Sequence, residues 1–192
     1  MNLTNQTQAE VIAAMLPDLQ RLRDAVIVIK LGGHAMVDDQ LLGGFAHDVV
    51  VLRTVGARPV VVHGGGPQIS AQLAARGITS EFRAGLRVTT PEVLAVVRDV
   101  LVGQIQQSLV ALIADSGGQA VGLAGDEGVL TAERQAVLVD GQETDIGLVG
   151  DVTAVNTAQL HTLLSEGRIP VISTVARGVD GTTYNVNADT AA

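Results

Sequence analysis

The sequence predicts an α/β protein, with helices alternating with the strands of a mainly parallel central sheet and a small β-meander projecting from it. Two apolar runs carry most of this. Val26-Ile27-Val28-Ile29-Lys30-Leu31 and Pro59-Val60-Val61-Val62-His63 are rich in β-branched residues, have the length of buried strands, and end in Gly32-Gly33 and Gly64-Gly65-Gly66. The third observation is that apolar residues fall at helical spacing between and after these runs. The chain has 192 residues, of which 47% are hydrophobic, so it is one large domain or two small ones with ample material for a core. Only 2% are aromatic, so Val, Ile, Leu and Ala must fill the interior.

Residues 7–22 read as an amphipathic helix, with Val11, Ile12, Met15, Leu19 and Leu22 in one stripe and Pro17 kinking or splitting it. It precedes the first strand, so its stripe either packs on its own domain or pairs with another subunit. Strand 26–31 is followed by helix 39–55, with Leu41, Leu42, Phe45, Val49 and Leu52 on one face and Gly56 closing it. Strand 58–63 leads into helix 67–76, with Pro67 in the first turn and Gly77 at the end. Residues 78–90 are less regular. Thr90 suits the N-cap and Pro91 the first position of a long helix reaching about residue 115, interrupted or eased at Gly103 and stopped by Ser116-Gly117-Gly118. A short strand over 119–123 runs into Gly125. Residues 129–151 hold two short β-forming segments, Val137-Leu138-Val139 and Leu148-Val149, and the intervening Asp140-Gly141 signals a hairpin. Thr157 caps a helix over 158–167, and residues 169–174 form a further strand. Beyond a turn at Asp180-Gly181, Tyr184-Asn185-Val186-Asn187-Ala188-Asp189 leads into the start of a helix. No closing glycine or return strand follows, so the sequence reads as part of a longer protein.

The formal net charge is −8 and the isoelectric point about 4.8. That balance argues against a nucleic-acid partner, whose phosphates would need Lys and Arg to neutralise them. Without cysteine the chain has no disulfide, thiolate metal ligand or cysteine nucleophile. No uninterrupted apolar run approaches the roughly 18–20 residues that span a bilayer, and the N-terminus lacks the basic flank and apolar stretch of a signal peptide. The expectation is a cytoplasmic protein with no membrane partner.

Glycine lets backbone N–H groups approach an anion without an intervening Cβ, and Lys30 brings positive charge to the same end of the sheet. This pattern points to phosphate chemistry at the carboxyl ends of parallel strands. It is not a Walker A loop, because no Gly-Lys-Ser/Thr follows either cluster, and G-x-G-x-x-G is absent too.

Four blocks in order, Ile29-Lys30-Leu31-Gly32-Gly33, His63-Gly64-Gly65-Gly66-Pro67, Gly85-Leu86-Arg87-Val88-Thr89 and Tyr184-Asn185-Val186-Asn187-Ala188-Asp189, resemble the amino-acid kinase superfamily. The last two resemble its acetylglutamate kinase branch in particular, and Arg87 in its block with the asparagine pair argues against glutamate 5-kinase and aspartokinase. The likeness covers residues 26–192. It implies a three-layer αβα sandwich of the amino-acid kinase fold with the C-terminal half missing: residues 24–192 as a truncated acetylglutamate-binding N-terminal domain, and residues 1–23 as an oligomerisation helix. That helix looks like the one that interlaces dimers into a hexamer in arginine-inhibited members, so a homo-oligomer is implied.

The activity implied is transfer of the γ-phosphoryl group of ATP, accompanied by Mg²⁺, to the side-chain carboxylate of N-acetyl-L-glutamate, a transferase step of arginine biosynthesis. The missing half would hold most of the nucleotide pocket and a second catalytic lysine, so the isolated chain is expected to be inactive; the alternative is a fragment that only binds substrate or assembles. By the same resemblance, Lys30 sits beside the moving phosphoryl group and Asp189 orients it. Gly32 and Gly33 offer N–H groups to phosphate oxygens; otherwise they form an ordinary turn. Gly65 and Gly66 open a helix whose N-terminus favours an anion, and they bind substrate. Arg87 grips the α-carboxylate with a fork that lysine lacks. Asn185 and Asn187 bind the acetylated amino acid, although asparagines at a helix start also suit capping. His63 reads as a satisfied strand residue. No carboxylate cluster proposes a protein-only metal site. Gly122-Leu123-Ala124-Gly125-Asp126-Glu127 departs from the family pattern, which leaves a nucleotide contact from that loop unsupported.

Overall fold

Helix α1 (Asn5–Leu22) stands ahead of the sheet, capped by the Thr4 hydroxyl, which accepts the Thr7 N–H, and carrying Pro17 within it. The computed structural model describes residues 4–139 and 141–192; Asp140, half of the expected Asp140-Gly141 turn, lies outside the described residues. Val11, Ile12 and Met15 of α1 are 45%, 63% and 49% exposed, whereas Leu19 and Leu22 nearer its end are half-buried.

From there strand and helix alternate. β1 (Val26–Leu31) runs into a 3₁₀ turn, Gly33–Met36, and then α2 (Asp39–Thr54), whose N-cap Asp38 accepts the Gln40 and Leu41 N–H groups. β2 (Arg58–His63) leads into α3 (Gly66–Ala75). The irregular stretch that follows holds a two-stranded hairpin, β3 (Phe82–Arg83) and β4 (Leu86–Arg87). The long helix is α4 (Pro91–Arg98), a π-helical segment (Asp99–Ile105) containing Gly103, and α5 (Gln106–Asp115). Thr90 caps it, accepting the Val93 N–H. Then come β5 (Ala120–Ala124), β6 (Leu130–Val139), β7 (Gln142–Val155), α6 (Thr157–Ser165), β8 (Ile169–Ser173), β9 (Val175–Arg177), β10 (Thr183–Val186) and α7 (Ala188–Ala191).

The main sheet has the order β1-β2-β8-β5 with every pairing parallel. Successive residues of a strand face opposite sides, and β2 shows this: Val61 joins the core under α2, α3, α4 and α5, while Val60 and Val62 join a second core with Leu164 of α6 and Tyr184 and Val186 of β10. Three layers result. The stretch Pro91–Asp115 is long and apolar enough by composition to cross a membrane, yet its Val93, Val97, Leu109 and Ile113 are buried in this protein's own core.

Three local details differ from the sequence expectation. Leu41 is exposed, and Ala46 shares the buried face of α2 with Leu42 and Val49. Asn156 rather than Thr157 caps α6, accepting the Gln159 N–H. The meander is more than two short segments: β6 and β7 are 10 and 14 residues long and close with β9 and β10 into a small barrel. Register shifts at Thr131/Ala132 and Arg134/Ala136 interrupt the alternation that would otherwise mark these strands.

Candidate phosphate and carboxylate site

Register decides what meets at the rim of the sheet. Leu31 pairs with His63, and His63 with Ser173, so the segments after β1, β2 and β8 all leave at one level. A cavity of about 400 Å³ opens there, and Lys30, Gly32, Gly33, Gly65, Gly66, Arg87, Asn185, Asn187 and Asp189 all line it. The structure thus brings together every residue singled out in the sequence.

At one end the Lys30 ammonium lies 2.7 Å from Asp189 Oδ1. A Cβ on Gly32 would lie 3.4 Å from Lys30 Nζ, so the lysine passes close over this turn. The two glycine turns touch: a Cβ on Gly33 would meet Pro67 Cδ at 2.5 Å and the Gly66 nitrogen at 3.2 Å, and one on Gly65 would meet Ile105 Cδ1 at 2.4 Å. Close packing therefore favours glycine at positions 33 and 65. Gly66 begins α3, so the first N–H groups of that ten-residue helix have no intrahelical partner.

At the other end stands Arg87, only 6% exposed. Its Nη1 donates to Ser80 Oγ (2.7 Å) and its Nη2 to Ser70 Oγ (2.8 Å) and the Gly66 carbonyl (3.1 Å). The Phe82 ring covers one face of the guanidinium, 4.6 Å from its carbon. Among the described residues no carboxylate pairs with it, and burial pushes it below its ordinary pKa. A buried cation with hydroxyl and carbonyl partners but no counter-ion is poised for an anion. Asn185 Nδ2 donates to Thr89 Oγ1 (3.2 Å), and Thr89 Oγ1 donates to the Arg87 carbonyl (2.8 Å), so Asn185 and Arg87 are tied through one buried threonine.

Asn187 caps α7: its Oδ1 accepts the Asp189 N–H at 2.7 Å, leaving its amide N–H groups for a ligand. His63 is fully buried and sits against the Gly64 carbonyl through Nδ1 (3.1 Å), with its pKa lowered to about 4 by desolvation. It is not the satisfied residue expected, since its Nε2 has no hydrogen-bond partner. Asp126 and Glu127 both bind Arg98, at 2.9 and 2.7 Å, and do not line the cavity. Asp126 raises the pKa of Arg98. Ser70, Ser80, Thr89 and Thr174, whose single hydroxyls carry no pattern in sequence, and Phe82, through its ring, complete the site; none was singled out in the sequence. Among the described residues no group of three or more His, Asp or Glu side chains converges as metal ligands.

The chain is similar to known proteins along its whole length. The chain is 57% identical to acetylglutamate kinase of Corynebacterium diphtheriae over 192 residues, covering 100% of this chain and 62% of that protein. It is 56% identical to acetylglutamate kinase of Nocardia farcinica, covering 63% of it. The chain thus spans a little over three fifths of the length of these relatives. Among solved structures, N-acetylglutamate synthase from Neisseria gonorrhoeae, complexed with coenzyme A and N-acetyl-glutamate, superposes with a TM-score of 0.79 at 25% identity, covering 94% of this chain and 40% of that one. A protein of Streptococcus mutans UA159, smu.665, gives a TM-score of 0.76 at 28% identity, covering 87% of this chain and 65% of that one. The signature of the amino acid kinase family matches residues 25–192, and the chain belongs to that family.

Proposed function

We propose that this chain carries the acceptor-binding part of an acetylglutamate kinase, which phosphorylates the side-chain carboxylate of N-acetyl-L-glutamate with ATP in arginine biosynthesis. The observation that carries the reading is the position of Arg87. It is buried without a counter-ion, on the same cavity as Lys30 and both glycine turns. Two anion sites of different kinds on one cavity suit a reaction that joins a carboxylate to a phosphoryl group. The naming of the relatives at 57% and 56% identity supports it.

In this reading Arg87 takes the α-carboxylate, with Asn185 and the free amide of Asn187 on the acetylated backbone. Gly65 and Gly66 border the path between substrate and phosphate. The side-chain carboxylate oxygen attacks the γ-phosphorus, the bond to the bridging oxygen breaks, and ADP leaves with N-acetylglutamyl 5-phosphate formed. A carboxylate is already a nucleophile, so the work is positioning and charge stabilisation. Lys30 neutralises charge on the moving group, Asp189 holds Lys30, and Gly32 and Gly33 offer N–H groups to its oxygens. Mg²⁺ enters with ATP as part of the substrate complex. The exposed stripe of α1 suits pairing with another subunit, and the cytoplasmic location belongs to the same reading.

Calorimetric titration with N-acetyl-L-glutamate tests it. Binding is expected for the wild type and not for Arg87→Ala. A folded wild-type chain that binds glutamate as well as N-acetyl-L-glutamate, or neither, would overturn the assignment.

A further inference from the structure

Gln68, in the first turn of α3, stands between the two glycine turns without lining the main cavity. Its Nε2 donates to the carbonyls of Gly33 (3.2 Å) and Met36 (3.3 Å), the two ends of the 3₁₀ turn that follows β1. Its Oε1 is buried and has no partner among the described residues. The opposite amide orientation would set that oxygen against two carbonyl oxygens, so the donor requirement of the turn decides which way the amide faces. An unpaired buried acceptor is unfavourable, and a group held in that state calls for a reason.

The surroundings supply one. A Cβ on Gly33 would lie 3.3 Å from Gln68 Oε1, and one on Gly65 would lie 3.8 Å from it, so the amide fills the seam between the turns. The same helical turn grips Arg87 on its other side through the Gly66 carbonyl and Ser70 Oγ. α3 thus begins as a block that holds the guanidinium directly and the turn after β1 through one side chain. That turn is a single short one, with Ala35 N–H donating to the Gly32 carbonyl at 3.1 Å, and such turns hold themselves poorly.

We infer that Gln68 is a positioning residue that fixes the separation of the two glycine turns, so that their backbone N–H groups face one phosphoryl group. The inference rests on the phosphate reading of those turns. Because the peptide unit is planar, pinning the Gly33 carbonyl also fixes the direction of the His34 N–H, which follows those of Gly32 and Gly33 in the same turn. Gln68 touches neither substrate; it acts through the backbone it holds.

The test uses two probes on the 192-residue chain: tripolyphosphate for the glycine turns and N-acetyl-L-glutamate for the Arg87 end. In Gln68→Met and Gln68→Leu, which remove the amide and keep most of the volume, tripolyphosphate affinity is expected to fall about tenfold or more. N-acetyl-L-glutamate affinity should stay within about threefold, and amide exchange over residues 33–36 should quicken. Unchanged tripolyphosphate affinity, or equal weakening of both ligands, would overturn the role of Gln68. A wild type that binds N-acetyl-L-glutamate but no tripolyphosphate would remove the phosphate reading itself, and this inference with it.

Discussion

Lys30 and Asp189 lie near opposite ends of the chain, and their charged groups stand 2.7 Å apart at the rim of the sheet. The pair is open to solvent, with side chains 33% and 70% exposed. Exposed ion pairs contribute little to folding, about 0–1 kcal/mol, so stability does not account for the placement. The contact leaves the ammonium over Gly32, facing the space between the glycine turns.

Lys30→Met is therefore expected to lower tripolyphosphate affinity about tenfold or more, with the urea midpoint nearly unchanged. Asp189→Asn should have the smaller effect of a lysine no longer held. Titration with tripolyphosphate and urea unfolding check this; a large loss of stability in either variant would instead make the pair structural.

Arg87→Lys keeps the charge and loses the fork. The three N–H donors of an ammonium are too few to keep Ser70, Ser80 and the Gly66 carbonyl and still grip a ligand carboxylate in a fork. N-acetyl-L-glutamate affinity should fall about a hundredfold, close to the loss in Arg87→Ala. Ser70→Ala and Ser80→Ala should each weaken it less, by about three- to tenfold, because each releases one hydrogen bond that aims the guanidinium. Calorimetry decides, and an Arg87→Lys variant that binds as well as wild type would show that charge alone suffices.

The glycine turns and Lys30 were legible in sequence because their signal is local: a β-branched run, then glycine. Arg87, Asn185 and Asp189 were legible only through their blocks, since nothing local distinguishes Arg87 from other arginines. The hydroxyls of Ser70, Ser80 and Thr89 were not legible, because their role exists only once α3, β3 and β4 come together. The barrel was half legible. Val137, Val139, Leu148 and Val149 marked it, but bulges near Thr131 and Arg134 broke the two-residue alternation, and the four-residue β10 is too short to announce itself. The close approach of Gly147 to Thr89 is a tertiary fact with no local signal.

His63 predicts an acid-side loss of stability. Burial lowers its pKa from 6.5 to about 4 in the folded protein. Between those values the unfolded chain binds the proton and the folded one does not, so stability rises with pH across the window. The contribution is complete above pH 6.5 and is lost progressively as pH falls toward 4, by about 3 kcal/mol in all. His63→Gln should flatten this part of the stability–pH curve in urea unfolding between pH 7 and pH 4. An identical slope in the variant would assign the acid sensitivity to carboxylates elsewhere.

Gly147 offers the sharpest separation of fold from site. Its φ is +80°, and a Cβ there would lie 2.3 Å from the Thr89 carbonyl oxygen and 3.0 Å from the carbonyl carbon. These are backbone atoms held on both sides: Thr89 N–H donates to the Ile146 carbonyl at 2.9 Å, and Leu148 N–H donates to the Thr89 carbonyl at 2.7 Å. Thr89 cannot retreat without loosening the Asn185 amide and the Arg87 carbonyl that its hydroxyl joins. Gly147→Ala should therefore cost about 2–4 kcal/mol, from the left-handed backbone and the clash together, and weaken N-acetyl-L-glutamate binding in the fraction that folds. Gly128 supplies the control, since its φ is +95° but a Cβ there meets nothing within 4 Å. Gly128→Ala should cost only about 1 kcal/mol and leave binding intact. Urea unfolding and calorimetry on both variants compare backbone conformation alone with conformation plus contact. Equal losses in the two would mean that the approach of Gly147 to Thr89 does not hold Arg87 and Asn185 in place.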